Sequence, residues 1–428
     1  MLANKRVKTP LPSSCLPDTW LYTLSFLGWK ELLRTAAVAR TWQASVPKVL
    51  ARTQTLVVAE EGWLRPNPQF WRTMHRMAAG AKDVTVRHLA AFTSTDYVRA
   101  LLVDCQRLRS LTLPSGIYRQ YCATLQTALS SLQQLTVLGT TMHAAYLGQV
   151  CLPPTLRSFS IEQGGLTKTW GNALERQCRH LTTLRLEDDD DYDHPDRWSC
   201  PSTAACWPQL THITFLVKRI GLVERLAHGL VRMFITQLTT LDVFVSYRPA
   251  SLELKQNSAI LRAQPKYVDA AYGSAVNGAD HLLPLLLATR PFFDRHAVTN
   301  WLIDIDNHRD MLCAVDDICS APQSKSKLEA LTLTQSTSPL KHQWSPSVAA
   351  QVKQITLAAG VALTSKTQLD WAINLKHLAF TGAIFKLGHA FFNAIPDRLP
   401  TIRVHECEMH RQGNSGEWRV VVMMQRLH

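Results

Sequence analysis

The hexapeptide LRSLTL at residues 108–113 decides the fold, because its apolar-x-x-apolar-x-apolar pattern recurs along most of the 428-residue chain. Clear copies occupy residues 132–137, 156–161, 181–186, 210–215, 238–243, 328–333, 352–357, 375–380 and 399–404. Successive starts lie 24, 24, 25, 29 and 28 residues apart in the first series, and 24, 23 and 24 apart in the second. Weaker copies lie at residues 81–86 and 298–303, and residues 53–58 are interpreted as an opening strand. This period predicts stacked units that share a core, because one strand with one return segment cannot bury its own apolar side.

The return segments between these strands carry helical periodicity. Apolar residues recur every fourth position in two of them: Leu166, Trp170, Leu174 and Cys178, and then Leu222, Leu226, Leu230 and Phe234. A spacing of four places such residues on one face of a helix. We therefore expect an α/β fold, a curved solenoid with parallel strands inside and helices outside.

The pattern is interrupted between Val243 and Val298. Residues 246–280 hold few apolar residues in this pattern, and residues 282–293 are apolar again. We interpret residues 246–297 as an insertion or a diverged repeat, with a surface segment in its first part. At the end of the chain, residues 418–424 predict a last strand that covers the end of the core.

The third, fifth and seventh positions of each copy alternate with the buried ones and should form an open face of the sheet. Thr and Ser dominate this face, which strand propensity alone explains, although a polar groove for a ligand segment would use the same residues. The interruptions are more informative, because charged residues and histidines there do not follow strand propensity, and an apolar residue such as Phe244 in a polar face can anchor a partner. We predict that a bound substrate contacts the chain at these interruptions, which are Arg185, His212, Asp242, Phe244, His377 and Arg403.

The N-terminal stretch LPDTWLYTLSFLGWKELLRTAAVARTW, residues 16–42, predicts three short helices. Leu21, Leu24 and Leu27 form one apolar stripe, and Gly28 can end that helix because glycine accepts the left-handed conformation. Fewer than roughly 40 residues rarely bury a core of their own. The apolar surface of these helices should therefore be covered by another structure, either a second protein or the end of the domain that follows.

Two known families share these patterns. The Leu-Pro opening, the Leu-x-x-Leu-x-x-Leu spacing, the Leu-Leu step and the closing Val-x-Arg-x-Trp resemble the F-box, in the family's order. The later copies resemble leucine-rich repeats. The chain departs from that family at one position. Leucine-rich repeats often place Asn or Cys three residues beyond the last apolar residue of the pattern, and here that position holds Gly116, Thr140, Gly164 and Asp189. The resemblance divides the chain into a basic tail (1–10), an F-box-like module (11–52) and a leucine-rich-repeat domain (53–428).

The resemblance implies a substrate-recognition adaptor of a cullin-RING ubiquitin ligase of the SCF type. The F-box-like module would dock a Skp-family linker and the repeats would bind the target, with no catalytic residue in this chain. The implied linker-binding residues are Leu16, Pro17, Leu21, Leu24, Leu27, Leu32, Leu33, Val38 and Trp42. Two alternatives stay open: a leucine-rich-repeat scaffold outside any ligase, and, ranked lower, a basic nucleic-acid-binding repeat protein.

Composition narrows the compartment and the partners. The formal net charge of +13 favours an acidic partner, although the charge is spread along the chain. No apolar run approaches the roughly 18 residues that span a bilayer, and no secretory signal is evident, so we expect a cytoplasmic or nuclear protein without a membrane partner. The ten cysteines then predict reduced thiols.

Two clusters of polar residues suggest metal binding at first sight. The acidic run at residues 187–193 lacks the spacing of a calcium loop and is interpreted as a solvated loop. The run HECEMH at residues 405–410 separates its histidines by five positions and begins in an expected strand, so it does not match a zinc-protease helix. We predict no cofactor and no metal.

Overall fold

The computed structural model describes part of the chain: residues 55–58, 83–86, 108–113, 129, 132, 135, 137–140, 151–161, 168–188, 201, 203–217, 227–245, 250–263, 267–268, 275–276, 278–305, 309–334, 338–358, 361, 369–381, 396, 399, 401–404, 407–412 and 417–422. They fall into two compact units, which divide between Leu181 and Thr182. The fold is α/β, with strands that pair mostly in parallel. No helix in these ranges is long and apolar enough to span a bilayer.

The first unit contains a run of short parallel strands in chain order. They are β1 (Thr55–Val58), β2 (Asp83–Val86), β3 (Ser110–Leu113), β4 (Val137–Thr140) and β5 (Ser158–Ile161). Each strand pairs in parallel with the next one along the chain. Helix α1 (Lys168–Gln177) follows β5, and the predicted apolar residues Leu174 and Cys178 are fully buried there. Burial of these two residues confirms the second half of the predicted spacing, while Leu166 and the side chain of Trp170 lie outside the described residues.

The prediction for the copy at residues 132–137 is wrong in its register. Ser110 of β3 pairs with Val137 of β4, 27 residues later, and Val137 pairs in turn with Ser158. The true start of this unit is Leu135, three residues beyond the predicted one. The sequence LQQLTVL allows both frames, because Leu132, Leu135 and Leu138 repeat at a spacing of three. Leu138, expected on the open face, is instead in register with the fully buried Leu111 and Phe159.

The second unit begins with three more parallel strands, β6 (Thr183–Asp188), β7 (His212–Val217) and β8 (Thr240–Val245). Two antiparallel strands follow, β9 (Ala250–Lys255) and β10 (Ser258–Ala263). A separate two-residue pair consists of β11 (Tyr267–Val268) and β12 (Ala275–Val276).

Parallel pairing then resumes next to β10. The strands are β13 (Asn300–Ile305), β14 (Ala330–Leu333), β15 (Gln354–Leu357), β16 (His377–Phe380) and β17 (Thr401–Val404). The unit ends with the antiparallel strands β18 (Cys407–Gln412) and β19 (Glu417–Val422). The predicted last strand is thus confirmed, and residues 407–410 of the HECEMH run lie in a strand.

The expectation of a surface segment at the start of residues 246–297 is wrong for residues 250–263. Strands β9 and β10 pair with their neighbours on both sides, and Leu252, Leu254 and Leu261 are fully buried. Their alternating apolar residues follow a period of two, with the turn Gln256-Asn257 between them. The six-residue repeat pattern cannot detect such a hairpin, because an antiparallel pair needs no return segment.

Short helical segments connect the strands of the second unit. They include a π-helical turn (Ala227–Val231), the short helix Arg232–Phe234, α2 (Gly278–Ala288), α3 (Arg290–Arg295), α4 (Arg309–Ser320), α5 (Ser338–Lys341) and α6 (Pro346–Ala349). Leu230 and Phe234 are buried, as their spacing predicted, while Leu222 and Leu226 of the same predicted face lie outside the described residues. Large aromatic groups fill the core beneath the sheet, where the rings of Phe293 and Trp301 stack with centroids 5.3 Å apart.

Glutamine and threonine side chains connect consecutive turns of the second unit. Gln351 accepts a hydrogen bond from the Leu328 amide (3.0 Å) and donates one to the Cys319 carbonyl (3.1 Å). Gln237 donates to the Trp207 carbonyl (2.9 Å), and the Thr239 hydroxyl donates to the Thr211 carbonyl. These bonds satisfy backbone groups in the segments between successive strands.

Candidate functional site

The open face of the second unit is the set of strand side chains that alternate with the buried ones. Burial alternates strictly along β7, β8 and β13, so every second residue faces away from the core. The pairing register aligns Arg185, Thr214, Asp242 and Glu253 in one row across β6 to β9. A second row contains Glu187, Leu216, Phe244, Ser251 and Arg262.

The six predicted substrate residues fall into two separate groups on this face. Arg185, His212, Asp242 and Phe244 lie on β6 to β8, while His377 and Arg403 lie on β16 and β17. Six strand spacings separate β8 from β16, which is about 29 Å along the sheet at roughly 4.8 Å per strand. One side chain of a ligand therefore cannot contact both groups.

The group on β16 and β17 is simple. His377 is exposed and in register with Gln354 of β15. Arg403 is exposed and pairs in register with Ala379 on one side and Glu408 of β18 on the other. These residues offer two cationic or hydrogen-bonding groups beside the final hairpin.

The group on β6 to β8 is extended by the hairpin that the sequence pattern did not predict. Strand β9 places Glu253 directly opposite Asp242, and it places Ser251 directly opposite Phe244. Strand β10 then brings Arg262 opposite Ser251. We call Asp242, Phe244, Ser251, Glu253 and Arg262, a patch of neighbouring side chains on the open face, the acidic pocket. Recognising the alternation ASLELK and SAILRA on either side of Gln256-Asn257 would have located Ser251, Glu253 and Arg262.

Charges in the acidic pocket are only partly balanced. Arg262 forms an ion pair with Glu253, with 3.0 Å between Nη1 and Oε1. Asp242 Oδ1 is buried and has no hydrogen-bond partner. Burial, and next the negative charge of Glu253, raise the pKa of Asp242, while Lys255 and His212 act in the opposite direction. The carboxyl of Asp242 is therefore held in surroundings that disfavour its charged form.

Polar and apolar groups meet at the pocket. Ser251 is only 6 % exposed, and its hydroxyl has no hydrogen-bond partner. Phe244 and Leu216 are half-buried neighbours in the same row, so an apolar surface adjoins the carboxyls. His212 is exposed, and its Nδ1 lies 2.8 Å from the Thr211 hydroxyl. The arrangement offers hydrogen-bond acceptors next to an aromatic ring.

Other predicted residues cannot be placed. All nine implied linker-binding residues, from Leu16 to Trp42, lie outside the described residues, as does the acidic run beyond Asp188. Within the described ranges, no group of His, Cys, Asp and Glu side chains is arranged to hold a metal ion.

Comparison with known proteins shows no close relative. No family model matches the chain, and no curated protein matches it. A structural-genomics crystal structure from Bacteroides fragilis is similar at 11% sequence identity and a TM-score of 0.31. The similarity covers 60% of this chain and 61% of that structure.

Proposed function

We propose that this chain is a substrate-recognition adaptor of an SCF-type cullin-RING ubiquitin ligase. Residues 11–52 act as an F-box that docks a Skp-family linker, and residues 53–428 act as a leucine-rich-repeat solenoid that binds a target protein. One observation carries the repeat half of the proposal. Strands β13 to β16 each begin at the third position of the sequence pattern, and they pair in parallel with their neighbours. The pairing aligns these third positions with one another, as in the series Asn300, Ala330, Gln354 and His377.

That register supports a repeat domain in two ways. Strand after strand presents its alternate residues on one face, which provides a long surface without a closed cavity. The segments between parallel strands carry the helices α4, α5 and α6, as crossover connections require. The linker-docking half of the proposal rests on the sequence resemblance of residues 16–42.

The mechanism in this proposal is proximity. The N-terminal helices bind the linker, the open face binds the target, and the lysines of the target gain a high effective concentration near the ubiquitin carrier. The chain contributes binding energy and orientation, and the chemistry takes place on other subunits.

Capture of a purified Skp-family linker by the full-length chain tests the proposal. We expect the wild-type protein to retain the linker and the Leu24→Asp variant to lose it, because a carboxylate in an apolar interface is strongly unfavourable. Ser25→Asp is the matched control, since it adds the same charge next to Leu24 without removing any of the three leucines Leu21, Leu24 and Leu27. Failure of the wild-type chain to retain the linker would contradict the ligase role.

A further inference from the structure

Two buried polar atoms of the acidic pocket have no partner within the described part of the chain. They are Asp242 Oδ1 and Ser251 Oγ, which lie on adjacent strands and on the same face. A buried polar atom without a hydrogen bond destabilises the folded state, and native proteins retain few of them. Both of these atoms can accept a hydrogen bond.

The carboxylates of Asp242 and Glu253, which lie directly opposite each other on β8 and β9, repel each other and destabilise this part of the sheet. Like charges directly opposite each other on antiparallel strands destabilise the pair. Arg262 compensates Glu253 through its 3.0 Å ion pair. Among the described residues Asp242 forms no comparable ion pair, and burial raises its pKa although Lys255 and His212 act in the opposite direction. A cation placed between the two carboxyls would remove both the repulsion and the missing hydrogen bonds.

We propose that the acidic pocket binds an arginine side chain of the target protein. A guanidinium carries five N–H donors in a planar fork, so it can bond to the half-buried carboxyl of Asp242, and a shift of the Ser251 side chain, now 6 % exposed, would bring the Ser251 hydroxyl within its reach. The ring of Phe244, directly opposite Ser251, supplies an aromatic surface on which guanidinium groups stack. An acidic ligand would instead meet two carboxyls. This proposal deepens the adaptor function above and rests on it for the identity of the ligand as a target protein.

The positive net charge of the chain excludes non-specific electrostatic attraction as the cause of arginine binding. At +13, the whole molecule repels a basic peptide at long range, so any binding of such a peptide must come from a local site. The acidic run at residues 187–193 is the competing local site, and its contribution has to be measured separately.

The test is fluorescence anisotropy of a fluorescein-labelled oligo-arginine peptide with the full-length chain, against an oligo-glutamate peptide of the same length. We expect the oligo-arginine peptide to bind, and Asp242→Asn or Phe244→Ala to weaken that binding about tenfold or more. Asp317→Asn is the matched control, because it makes the same charge change at an exposed position of α4. The double variant Asp189→Asn/Asp190→Asn should leave most of the affinity intact.

Several results would overturn the inference. They are tighter binding of oligo-glutamate, unchanged oligo-arginine binding by Asp242→Asn, an equal loss with Asp317→Asn, or loss of all binding in the acidic-run variant. Circular dichroism of each variant verifies folding, and Asp242→Asn preserves the size of the side chain. The assay contains no ligase subunit, so its failure is distinct from failure of linker capture; the Leu24→Asp variant should still bind the peptide.

Discussion

At the scale of single residues, Asp242 combines a structural cost with a position on the binding face. It is half-buried, it faces Glu253, and one of its oxygens has no hydrogen bond. Ionisable groups in such surroundings occur often at functional sites, where a ligand compensates the cost. The same residue should therefore reduce stability in the free protein and contribute to affinity in a complex.

The pH dependence of stability tests this reading of Asp242. Its folded-state pKa is raised above the ordinary value of 3.8, so the folded protein holds this proton more tightly than the unfolded chain does. The stabilising effect of that proton is complete below 3.8 and is lost as the pH rises through the folded-state value. Asp242→Asn should consequently unfold at a higher temperature than wild type at neutral pH, and the gain should shrink as the solution is acidified.

Thermal unfolding followed by circular dichroism, at neutral pH and in acid, measures this difference. Asp317→Asn, at an exposed position, controls for the general effect of removing one negative charge. Greater stability together with weaker peptide binding would identify Asp242 as a binding residue, because residues that serve only the fold lose stability when they are replaced. A less stable Asp242→Asn protein at neutral pH would argue for a structural role.

At the scale of secondary-structure elements, the hairpin of β9 and β10 is the main departure from the repeat. It pairs with β8 on one side and with β13 on the other, so it continues the sheet through the region where the sequence pattern disappears. The hairpin also brings Glu253 and Ser251 beside Asp242. A repeat with a helical return segment would have placed a parallel strand there instead, with a different set of neighbours.

A pair of substitutions in β9 tests its place in the sheet. Leu254→Ala should reduce the free energy of unfolding by about 2–5 kcal/mol, because the side chain of Leu254 is fully buried. Lys255→Ala, at the neighbouring exposed position, should change it by no more than about 0.5 kcal/mol. Urea denaturation of the two variants measures both values. Equally small effects would mean that residues 250–263 form a surface segment.

At the scale of the whole molecule, the charge of +13 and the acidic pocket act over different distances. The spread positive charge provides a long-range field, which attracts polyanions and acidic surfaces. The pocket selects at contact distance, where hydrogen bonds and desolvation determine which side chain is accepted. An acidic target with an exposed arginine would satisfy both effects.

The salt dependence of nucleic-acid binding distinguishes non-specific attraction by the spread positive charge from binding at a specific nucleic-acid site. A labelled DNA duplex should bind the chain weakly at low salt and lose most of its affinity at about 0.15 M salt, because the basic residues are spread along the chain and only the counterion-release effect operates. Fluorescence anisotropy across a salt series measures the slope. Tight binding that persists at high salt would favour the nucleic-acid-binding alternative.

The sequence by itself determined most of the strands that follow the repeat pattern, and it determined the burial of Leu174, Cys178, Leu230 and Phe234 in two return segments. Alternation along LRSLTL and the spacing of Leu174 and Cys178 are local properties, and burial at those positions follows from the geometry of one strand or one helix. At residues 132–140 local periodicity chose the wrong frame, because the frame that starts at Leu135 ends in Thr140 and so fits the apolar pattern less well than the one that starts at Leu132. Neighbouring strands decide such a case, because the register must align Val137 with Ser110 and Ser158.

Only the tertiary structure decided which open-face residues meet. Asp242 and Glu253 are eleven positions apart in sequence, and they become neighbours because β9 runs antiparallel to β8. Arg185 carried the same kind of sequence signal as His377 and Arg403, yet strand order separates it from those two residues along the sheet. Cross-strand pairing depends on chain direction and register, and neither is a property of a single segment.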